Sequence, residues 1–259
     1  MNKKLLFFDI DGTLLCEKTH QIPQSTILAI QQAKANGHLI FINTGRPFST
    51  IDSCIKDLQP DGYVCGCGTY ISYQNTILYH FQVTQKRCHE LIELLNQNQI
   101  FCIFEASDKV YFQKDLSDSR IYAFYRAYQQ AHFPIGFFDD QDVHVDKFSI
   151  QFYHDITPFY QEINNDFDII KRKKDFSEII PKGHSKATGI QFLVDYFNSS
   201  LDNCYVFGDS FNDEAMLMYV PHAIVMKNGE PKLYEIAEYV TDDIECEGIE
   251  KALKHYHLI

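Results

Sequence analysis

The chain has 259 residues, of which 45% are hydrophobic and 22% are charged, an ordinary balance for a globular protein. This length corresponds to one large domain or two modest ones, and it buries enough surface to fold without a disulfide framework or a structural metal. The 23 basic residues against 35 acidic ones give a net charge of −12. This balance argues against nucleic-acid binding, which relies on many cations that neutralise phosphates.

The sequence lacks the features of membrane and secreted proteins. No apolar run approaches the ~18 residues needed to cross a bilayer. The apolar stretch after Lys3 and Lys4 stops at Asp9, which is too short for a signal peptide. The eight cysteines are spread along the chain rather than packed into a short disulfide framework. We therefore expect a cytoplasmic protein with no membrane partner.

The first 80 residues or so alternate between short apolar runs and helical patterns. We predict a buried strand over residues 4–8, a helix over 25–36 that ends at a glycine, a second strand over 38–43 and a second helix from 47 to 58. The order strand, helix, strand, helix is typical of a parallel sheet covered by helices on both faces.

The middle third has a different pattern. Helical segments at 84–98 and 117–130 are mixed with short runs rich in aromatic and β-branched residues. These runs predict strands at 101–105, 110–113, 147–153, 168–172 and 176–180. The mixture indicates an α+β unit with a mostly antiparallel sheet.

The alternation of strands and helices returns after residue 184. We predict a helix at 185–197, a strand at 204–207, a helix at 212–219 and a strand at 222–226, followed by two short helices. This last part of the chain resumes the pattern of the first 80 residues.

These patterns together predict an α/β protein with a Rossmann-like core, in which a parallel sheet has helices on both faces. Residues 1–81 and 184–259 form this core, and residues 82–183 form an inserted α+β domain.

Three polar clusters each follow a predicted apolar strand. They are Asp-Ile-Asp-Gly-Thr at 9–13, Thr-Gly-Arg at 44–46 and Gly-Asp-Ser-Phe-Asn-Asp at 208–213. Ligands of open α/β sheets bind just beyond the carboxyl ends of the strands. If the three strands are neighbours, four carboxylates meet at one edge of the sheet: Asp9, Asp11, Asp209 and Asp213.

Repulsion among these carboxylates calls for a cation. A hard divalent ion with oxygen ligands removes the repulsion, and Mg²⁺ binds through few carboxylates while it keeps some waters. Asp9 and Asp11 point the same way if the strand geometry continues, so one can attack a phosphorus atom while the other moves a proton. A hydroxyl such as that of Thr44, with a nearby lysine, would hold the phosphate oxygens.

Each cluster also has a purely structural explanation. An Asp-x-Asp-Gly turn commonly ends a strand, and Thr44 is a suitable N-cap for the helix that follows. The cluster at 208–213 fits a turn before a capped helix. The occurrence of all three clusters in this order, each after an apolar strand, favours chemistry.

Four segments carry a resemblance to known enzymes. They are Phe-Phe-Asp-Ile-Asp-Gly-Thr-Leu-Leu at 7–15, Asn-Thr-Gly-Arg at 43–46, Pro-Lys-Gly-His-Ser-Lys at 181–186 and the cluster at 208–213. In this order they resemble the four motifs of a haloacid dehalogenase superfamily phosphatase. The resemblance is to the Cof-like group, which has a large cap inserted between the second and third motifs. It covers essentially the whole chain and is more specific in the core than in the cap.

The resemblance implies a role for each candidate residue. Asp9 is the nucleophile that becomes phosphorylated, and Asp11 is the general acid for the leaving group and then the base for the hydrolytic water. Mg²⁺ is held by the Asp9 carboxylate, the Asp11 main-chain carbonyl and Asp209, with Asp213 close behind or in the outer shell. The remaining groups bind phosphate, or in the last case phosphate or the metal: Thr44, Gly45, Lys186 and Asn212.

Two lysines compete for the third-motif role. We prefer Lys186 to Lys182, because Gly-x-Ser precedes it and a predicted helix follows, as in the family. The chain departs from the family at residues 67–68, which are Cys-Gly where relatives have Asn-Gly, and at 227–229, which are Lys-Asn-Gly where they often have Gly-Asn-Ala. Neither departure replaces a catalytic residue. The basic run at 171–174 fits a solvated edge better than a substrate site.

We therefore expect a Mg²⁺-dependent phosphatase that hydrolyses a small phosphorylated metabolite, a sugar phosphate or a cofactor phosphate, through a phosphorylated Asp9. The cap is expected to close over the core and to select the substrate. Two alternatives stay open: a phosphotransferase or mutase that passes the phosphoryl group to a sugar hydroxyl, and a regulator that binds a phosphorylated metabolite without turnover. No pattern in the sequence indicates an oligomeric partner.

Overall fold

Two β-sheets organise the computed structural model, which describes residues 3–259. The strands, numbered in chain order, are β1 (Leu5–Phe8), β2 (Leu39–Asn43), β3 (Gly62–Cys65), β4 (Tyr70–Tyr73), β5 (Thr76–His80), β6 (Phe101–Glu105), β7 (Val110–Phe112), β8 (Ile135–Phe137), β9 (Lys147–Gln151), β10 (Phe167–Lys173), β11 (Phe176–Pro181), β12 (Cys204–Gly208), β13 (His222–Val225) and β14 (Tyr239–Val240). The helices are α1 (Gln24–Ala35), α2 (Ser53–Asp57), α3 (Gln85–Gln97), α4 (Ser119–Gln130), α5 (Thr157–Ile163), α6 (Lys186–Tyr196), α7 (Glu214–Tyr219) and α8 (Gly248–His255). Within the described part of the chain, no helix combines the length and the apolar character needed to cross a membrane.

The described residues form two units. The first contains residues 3–45, 52–78 and 185–259, and the second contains residues 46–51 and 79–184. The sequence places the joints at 81/82 and 183/184, whereas the structure places them at 78/79 and 184/185. The structure also assigns the short segment after the Thr-Gly pair, residues 46–51, to the second unit.

A mostly parallel sheet forms the centre of the first unit. Its strand order is β14-β13-β12-β1-β2-β3-β4-β5, and neighbouring strands from β14 to β3 run parallel. Every residue of β1, β2 and β12 is buried, as expected for a parallel sheet covered on both faces. α1 packs against α8, and α6 packs against α7. The predicted α/β class with a Rossmann-like core is confirmed.

β1 is the point at which the order of this sheet reverses. It pairs with β2 on one side and with β12 on the other, so that Phe7 lies opposite both Phe41 and Val206. The chain proceeds from β1 to β2 and β3 in one direction, and β12, β13 and β14 extend the sheet in the other. The carboxyl ends of β1, β2 and β12 therefore lie side by side, at the position where doubly wound sheets bind ligands.

A mixed sheet organises the second unit. Its strand order is β10-β11-β9-β6-β7-β8, and neighbouring strands are antiparallel except for the parallel pair β7 and β8. Leu91 of α3 and Phe159 of α5 share one hydrophobic core with Phe104 of β6. Ile121 of α4 packs with Ile103 in a separate cluster, because successive residues of β6 point to opposite faces. The unit has the α+β character that the sequence predicts.

The basic run at 171–174 lies on β10 and just beyond it, and β10 is an edge strand of the second sheet. Arg172 donates a hydrogen bond of 2.9 Å to the Glu178 carboxylate on β11. Charged side chains on an edge strand oppose pairing with the edge of another sheet. The run therefore has a structural explanation at this edge.

A buried ion pair links β6 and β9 in the second unit. Glu105 and Lys147 are cross-strand partners, and the Lys147 Nζ lies 2.9 Å from a Glu105 carboxylate oxygen. Both side chains are less than a tenth exposed. Ser149 donates a hydrogen bond of 2.6 Å to the other oxygen of the same carboxylate. In such a setting each charge depends on the other, because water is excluded from both.

Removing one partner of this pair is expected to destabilise the protein strongly. Glu105→Leu or Lys147→Met alone leaves a buried charge without its counter-charge, at a loss of about 3–5 kcal/mol in the free energy of unfolding. The double variant is expected to lose far less, because no charge is left behind. Urea unfolding of the four proteins, followed by circular dichroism, measures the coupling. A double-variant loss equal to the sum of the two single losses would contradict this expectation.

Candidate active site

The loop after β1 carries two of the predicted carboxylates. The peptide N–H of Asp9 donates to the Phe207 carbonyl at 3.0 Å, which continues the ladder between β1 and β12 by one residue. The Ile10 carbonyl then accepts hydrogen bonds from the N–H groups of residues 13, 14 and 15, so the chain turns sharply. Gly12 in this turn has a φ of +80°, and a Cβ there would lie 2.2 Å from an Asp209 carboxylate oxygen. Only glycine lets this turn approach Asp209 so closely.

Lys186 lies between two aspartates. Its Nζ donates to Oδ1 of Asp9 at 2.6 Å and to Oδ1 of Asp213 at 2.5 Å, and none of the three side chains is more than 3% exposed. Lys186 is the first residue of α6, whose N-cap residue Ser185 forms a capping box with Thr188. The capping box fixes the residue at which the helix begins, and with it the direction in which the lysine projects.

The loop after β12 ties Asp213 and Asp209 together. Oδ2 of Asp213 accepts hydrogen bonds from the peptide N–H groups of Asp209 and Ser210, both at 3.0 Å. Oδ1 of Asp209 accepts one from the Thr13 hydroxyl at 2.8 Å. Each oxygen of Asp213 therefore has a partner within the protein, whereas Asp209 connects the loop after β12 to the loop after β1.

Burial shifts the pKa values of this cluster. Desolvation, with the negative charge of Asp213, raises the pKa of Asp9 to about 7, although Lys186 acts in the opposite direction. Desolvation and the charge of Asp9 raise the pKa of Asp209 to about 8. Burial acts to lower the pKa of Lys186, but attraction by Asp213 and Asp9 outweighs it and the pKa is raised, so the lysine is charged. At neutral pH the cluster therefore retains protons or takes up a cation.

The three buried carboxylates fit a divalent cation. Oxygens of Asp9, Asp209 and Asp213 lie within 4.8 Å of one another. Three ionised carboxylates and the Lys186 ammonium sum to −3 + 1 = −2, which one divalent ion would neutralise. Carboxylate oxygens are the protein ligands that Mg²⁺ prefers. The donor set and the charge of the cluster therefore both suit this ion.

The other predicted site residues lie in the loops of the first unit around this cluster. Thr44 is buried directly after β2, where its peptide N–H donates to the Val64 carbonyl at 2.9 Å, and Gly45 follows it. Asn212 accepts a hydrogen bond of 2.6 Å from the Ser210 hydroxyl through its Oδ1. Asp11 is half-buried in the turn after β1. Asp9, Lys186, Asp209 and Asp213 thus form the buried cluster. The other four candidates lie in the loops that follow β1, β2 and β12, whose carboxyl ends are side by side.

The structure separates the two candidate lysines. Lys182 is exposed and belongs to the second unit, where its peptide N–H donates to the Asp166 carbonyl at 2.9 Å. Lys186 is buried in the first unit with its ammonium group on Asp9. The geometry therefore favours Lys186 over Lys182 as the lysine of the third motif.

Two asparagines without a predicted role also contact the site. Asn43, the last residue of β2, donates a hydrogen bond of 3.1 Å to the Lys186 carbonyl. Asn228 donates one of 2.7 Å to the Gly12 carbonyl. Asn43 is the first residue of the second-motif segment at 43–46, so the motif itself could have indicated that Asn43 belongs to the site. Asn228 is the residue of the segment 227–229 that agrees with the family pattern, but its partner Gly12 is 216 residues away and is not indicated by that pattern.

A family model for haloacid dehalogenase-like hydrolases matches residues 6–253, nearly the whole chain. The chain belongs to the haloacid dehalogenase-like hydrolases. The family that the motifs indicate is thereby confirmed, and with it the expectation of a hydrolase.

Relatives of this hydrolase include named phosphatases. It is 25% identical to YkrA of Bacillus subtilis (strain 168), whose name describes it as a phosphatase, over 100% of both chains. It is 24% identical to the 5-amino-6-(5-phospho-D-ribitylamino)uracil phosphatase YitU of the same organism, over 97% of both chains. Among solved structures, the subclass IIB sugar phosphatase BT4131 is 28% identical, with a TM-score of 0.82 over 99% of this chain and 100% of that one. These relatives support the predicted class, a phosphoric monoester hydrolase.

The pKa shifts of the cluster predict that Mg²⁺ stabilises this hydrolase more at high pH than at low pH. The pKa values of Asp9 and Asp209 lie above the usual 3.8, so the folded protein binds more protons than the unfolded chain between about pH 4 and 8. Without a cation, the free energy of unfolding therefore falls as the pH rises through this interval. A bound cation takes the place of these protons, so the stabilisation that Mg²⁺ provides grows with pH. At a Mg²⁺ concentration 100 times the Kd, this stabilisation is about 2.7 kcal/mol in the free energy of unfolding.

Thermal unfolding at pH 5.5 and pH 8.5, with Mg²⁺ or with EDTA, measures this effect. We expect a rise in Tm on adding Mg²⁺ that is several-fold larger at the higher pH. Asp209→Asn serves as the matched control. It removes one carboxylate of the cluster, so most of the pH dependence of the Mg²⁺-induced rise in Tm should be lost. An equal rise in Tm at both pH values would show that the ion does not bind at this cluster.

Proposed function

We propose that this hydrolase is a Mg²⁺-dependent phosphatase that releases phosphate from a small phosphorylated metabolite through an aspartyl-phosphate on Asp9. The observation that carries the proposal is the buried contact of Lys186 with Asp9 at 2.6 Å, beside Asp209 and Asp213 and beyond the carboxyl ends of neighbouring strands. A structural ion pair does not need three carboxylates around one ammonium group, because the two extra negative charges are costly to bury. A phosphoryl-transfer site uses them, since it holds a cation and a nucleophile together.

The reaction divides into two transfers. In the first, an Asp9 carboxylate oxygen bonds to phosphorus as the bond to the ester oxygen breaks, and the Asp11 carboxyl gives its proton to the departing alcohol. In the second, Asp11 takes a proton from water, the water oxygen bonds to phosphorus, and the acyl-phosphate bond breaks to return the Asp9 carboxylate and free phosphate. Thr44, the Gly45 peptide, Lys186 and Asn212 hold the phosphate oxygens through N–H and O–H donors.

The proposed metal ligands are the carboxylates of Asp9 and Asp209 and the main-chain carbonyl of Asp11. Mg²⁺ at this position supplies positive charge that keeps Asp9 ionised and polarises the phosphate oxygens. Asp213 is assigned a place behind these ligands, because its two oxygens already accept hydrogen bonds from Lys186 and from the peptide groups of Asp209 and Ser210. Its role is then to orient Asp209 and Lys186.

The substrate we propose is a sugar phosphate or a cofactor phosphate. Two relatives support this class: BT4131 is named a sugar phosphatase, and YitU is named for a phosphorylated ribitylaminouracil. Both substrates join a phosphate to a polyhydroxylated chain or ring.

Substitution of the two carboxylates after β1 tests the proposed mechanism. Asp9→Asn is expected to abolish turnover of p-nitrophenyl phosphate, and Asp11→Asn is expected to lower kcat by about 10²–10⁴-fold, the range for loss of a general acid or base. Both variants should remain folded, because the hydrogen bonds of this turn are made largely by the backbone. Phosphate and p-nitrophenol are measured together, with and without Mg²⁺.

The two lysines provide the matched control. Lys186→Met should remove activity, while Lys182→Met, at an exposed position, should leave it unchanged. Activity that persists in Asp9→Asn would refute the proposed nucleophile. Less phosphate than p-nitrophenol in the presence of a sugar would indicate a phosphotransferase, and tight binding of a phosphate ester with no turnover would indicate a regulator.

We also propose that the second unit is the cap, which selects the substrate. Its support is the resemblance of the motifs on either side of residues 82–183 to those of capped phosphatases. Replacing residues 82–183 by a short linker is expected to change the relative kcat/KM values of sugar phosphates at least tenfold, while p-nitrophenyl phosphate is still hydrolysed. A panel of sugar phosphates measured on both proteins provides the comparison. An unchanged order of preference would refute this role.

A further inference from the structure

Residues 228–230, which follow β13, contact the loop that carries Asp209. The peptide N–H of Glu230 donates to the Asp209 carbonyl at 2.8 Å. A Cβ on Gly229 would lie 2.4 Å from the same carbonyl oxygen, so a larger residue does not fit there. Asn228 stands at the start of this short segment and projects toward the other catalytic loop.

The Asn228 side chain joins two loops that are far apart in sequence. Its Nδ2 donates to the Gly12 carbonyl at 2.7 Å, and its Oδ1 accepts a hydrogen bond from the Ile244 peptide N–H at 3.0 Å. The orientation of the amide follows from these partners, because a carbonyl can only accept and a peptide N–H can only donate. One side chain thus holds the turn after β1 against the loop at residues 244–246.

The Gly12 peptide group needs such a restraint. Glycine samples more backbone conformations than any other residue, and Gly12 directly follows Asp11. The Thr13 hydroxyl ties the far side of the turn to Asp209 at 2.8 Å. The Gly12 carbonyl accepts the hydrogen bond from Asn228, and this bond fixes the plane of the peptide between Gly12 and Thr13. The N–H of Gly12, in the peptide that follows Asp11, donates to the Leu15 carbonyl at 3.0 Å. Asn228 therefore restrains the second peptide after Asp11, and a backbone hydrogen bond restrains the first.

Asp9 is held by different contacts. Its peptide N–H continues the ladder to Phe207, and its carboxylate accepts the hydrogen bond from Lys186. Loss of the Asn228 amide therefore frees the Gly12–Thr13 peptide beside Asp11, while the backbone hydrogen bonds of the turn and the contacts of the nucleophile remain.

We propose that Asn228 is a positioning residue that holds Asp11 where its proton reaches the departing oxygen, an inference that rests on the proposed function. Proton donation matters most when the leaving group is a poor one. A p-nitrophenolate ion departs without a proton, whereas a phenolate ion of higher basicity departs faster when it is protonated. Asn228 therefore affects the dependence of the rate on the leaving group rather than the rate as a whole.

A series of substituted phenyl phosphates tests this inference, because its members share one shape and differ in the basicity of the leaving group. The quantity is kcat/KM, which reports the steps through transfer to Asp9. Asn228→Ala is expected to lower kcat/KM about tenfold for phenyl phosphate and less than about twofold for p-nitrophenyl phosphate. Asn228→Asp should do the same, since it keeps the acceptor for Ile244 but loses the donor to Gly12.

Two further proteins complete the experiment. Tyr234→Phe removes hydrogen bonds to the carbonyls of Lys227 at 2.7 Å and Gly229 at 3.4 Å, on the same segment but without the link to Gly12. It should keep the leaving-group dependence of the wild type. In an Asp11→Asn background, Asn228→Ala should cause no further change in that dependence, because the proton donor is already absent.

The outcomes separate the inference from the proposed function. If Asn228→Ala and Asn228→Asp lower kcat/KM equally for all members of the series, the residue has only a structural role and the inference is wrong. The inference also fails if Tyr234→Phe changes the leaving-group dependence as much as Asn228→Ala does. A wild-type protein that hydrolyses no member of the series refutes the proposed function itself.

Discussion

Three carboxylates buried around one ammonium group are the constraint on which the rest of this protein depends. Lys186 reaches Asp9 and Asp213 at hydrogen-bond distance, yet the cluster keeps an excess of negative charge in a place from which water is excluded. Charges of this kind move apart unless the backbone holds them. The parallel sheet, the capped start of α6 and the glycine turn are the means by which the chain holds them.

The two catalytic candidates after β1 are held with different stiffness. Asp9 extends a strand that is buried along its whole length and paired on both sides. Asp11 lies in the turn beyond it, whose backbone hydrogen bonds are local and converge on the Ile10 carbonyl. Two single hydrogen bonds connect this turn to distant loops, one from the Thr13 hydroxyl to Asp209 and one from the Asn228 amide to the Gly12 carbonyl. A nucleophile must meet phosphorus along one line, whereas a proton donor must follow an oxygen that moves as its bond breaks. The rigid strand end and the tethered turn suit these two requirements.

The sequence predicts much of the first unit because its strands are uniformly apolar and its polar clusters come directly after them. β1, β2 and β12 follow from such runs, and the clusters after β1 and β12 give the three carboxylates of the buried site. Lys186 comes only from the family resemblance of the segment at 181–186. Short elements escape this reasoning. α5, with seven residues, and β8, with three, are too short to show a period, and their form depends on the sheet beside them.

Long-range contacts of single side chains cannot be predicted from the sequence for a different reason. Asn228 touches Gly12, and nothing near either residue indicates the other. The sequence likewise places segment 46–51 in the core, because it predicts one helix over 47–58. In the structure α2 begins only at Ser53, and residues 46–51 belong to the second unit. Contacts of this kind depend on the completed topology, which no local pattern contains.

The pairing of β1 with β12 has a consequence for folding. Leu5 lies opposite Cys204, so the central strand pair closes a loop of most of the chain, and the entropy lost in closing a loop grows with its length. The second unit shortens that loop, because the Tyr79 hydroxyl lies 2.9 Å from the His184 ring nitrogen and its two ends meet. If this unit folds first, fewer residues remain to be closed between Leu5 and Cys204. Asp9 is made early in synthesis, but it meets Lys186 and Asp209 only after the residues that follow the second unit have been made.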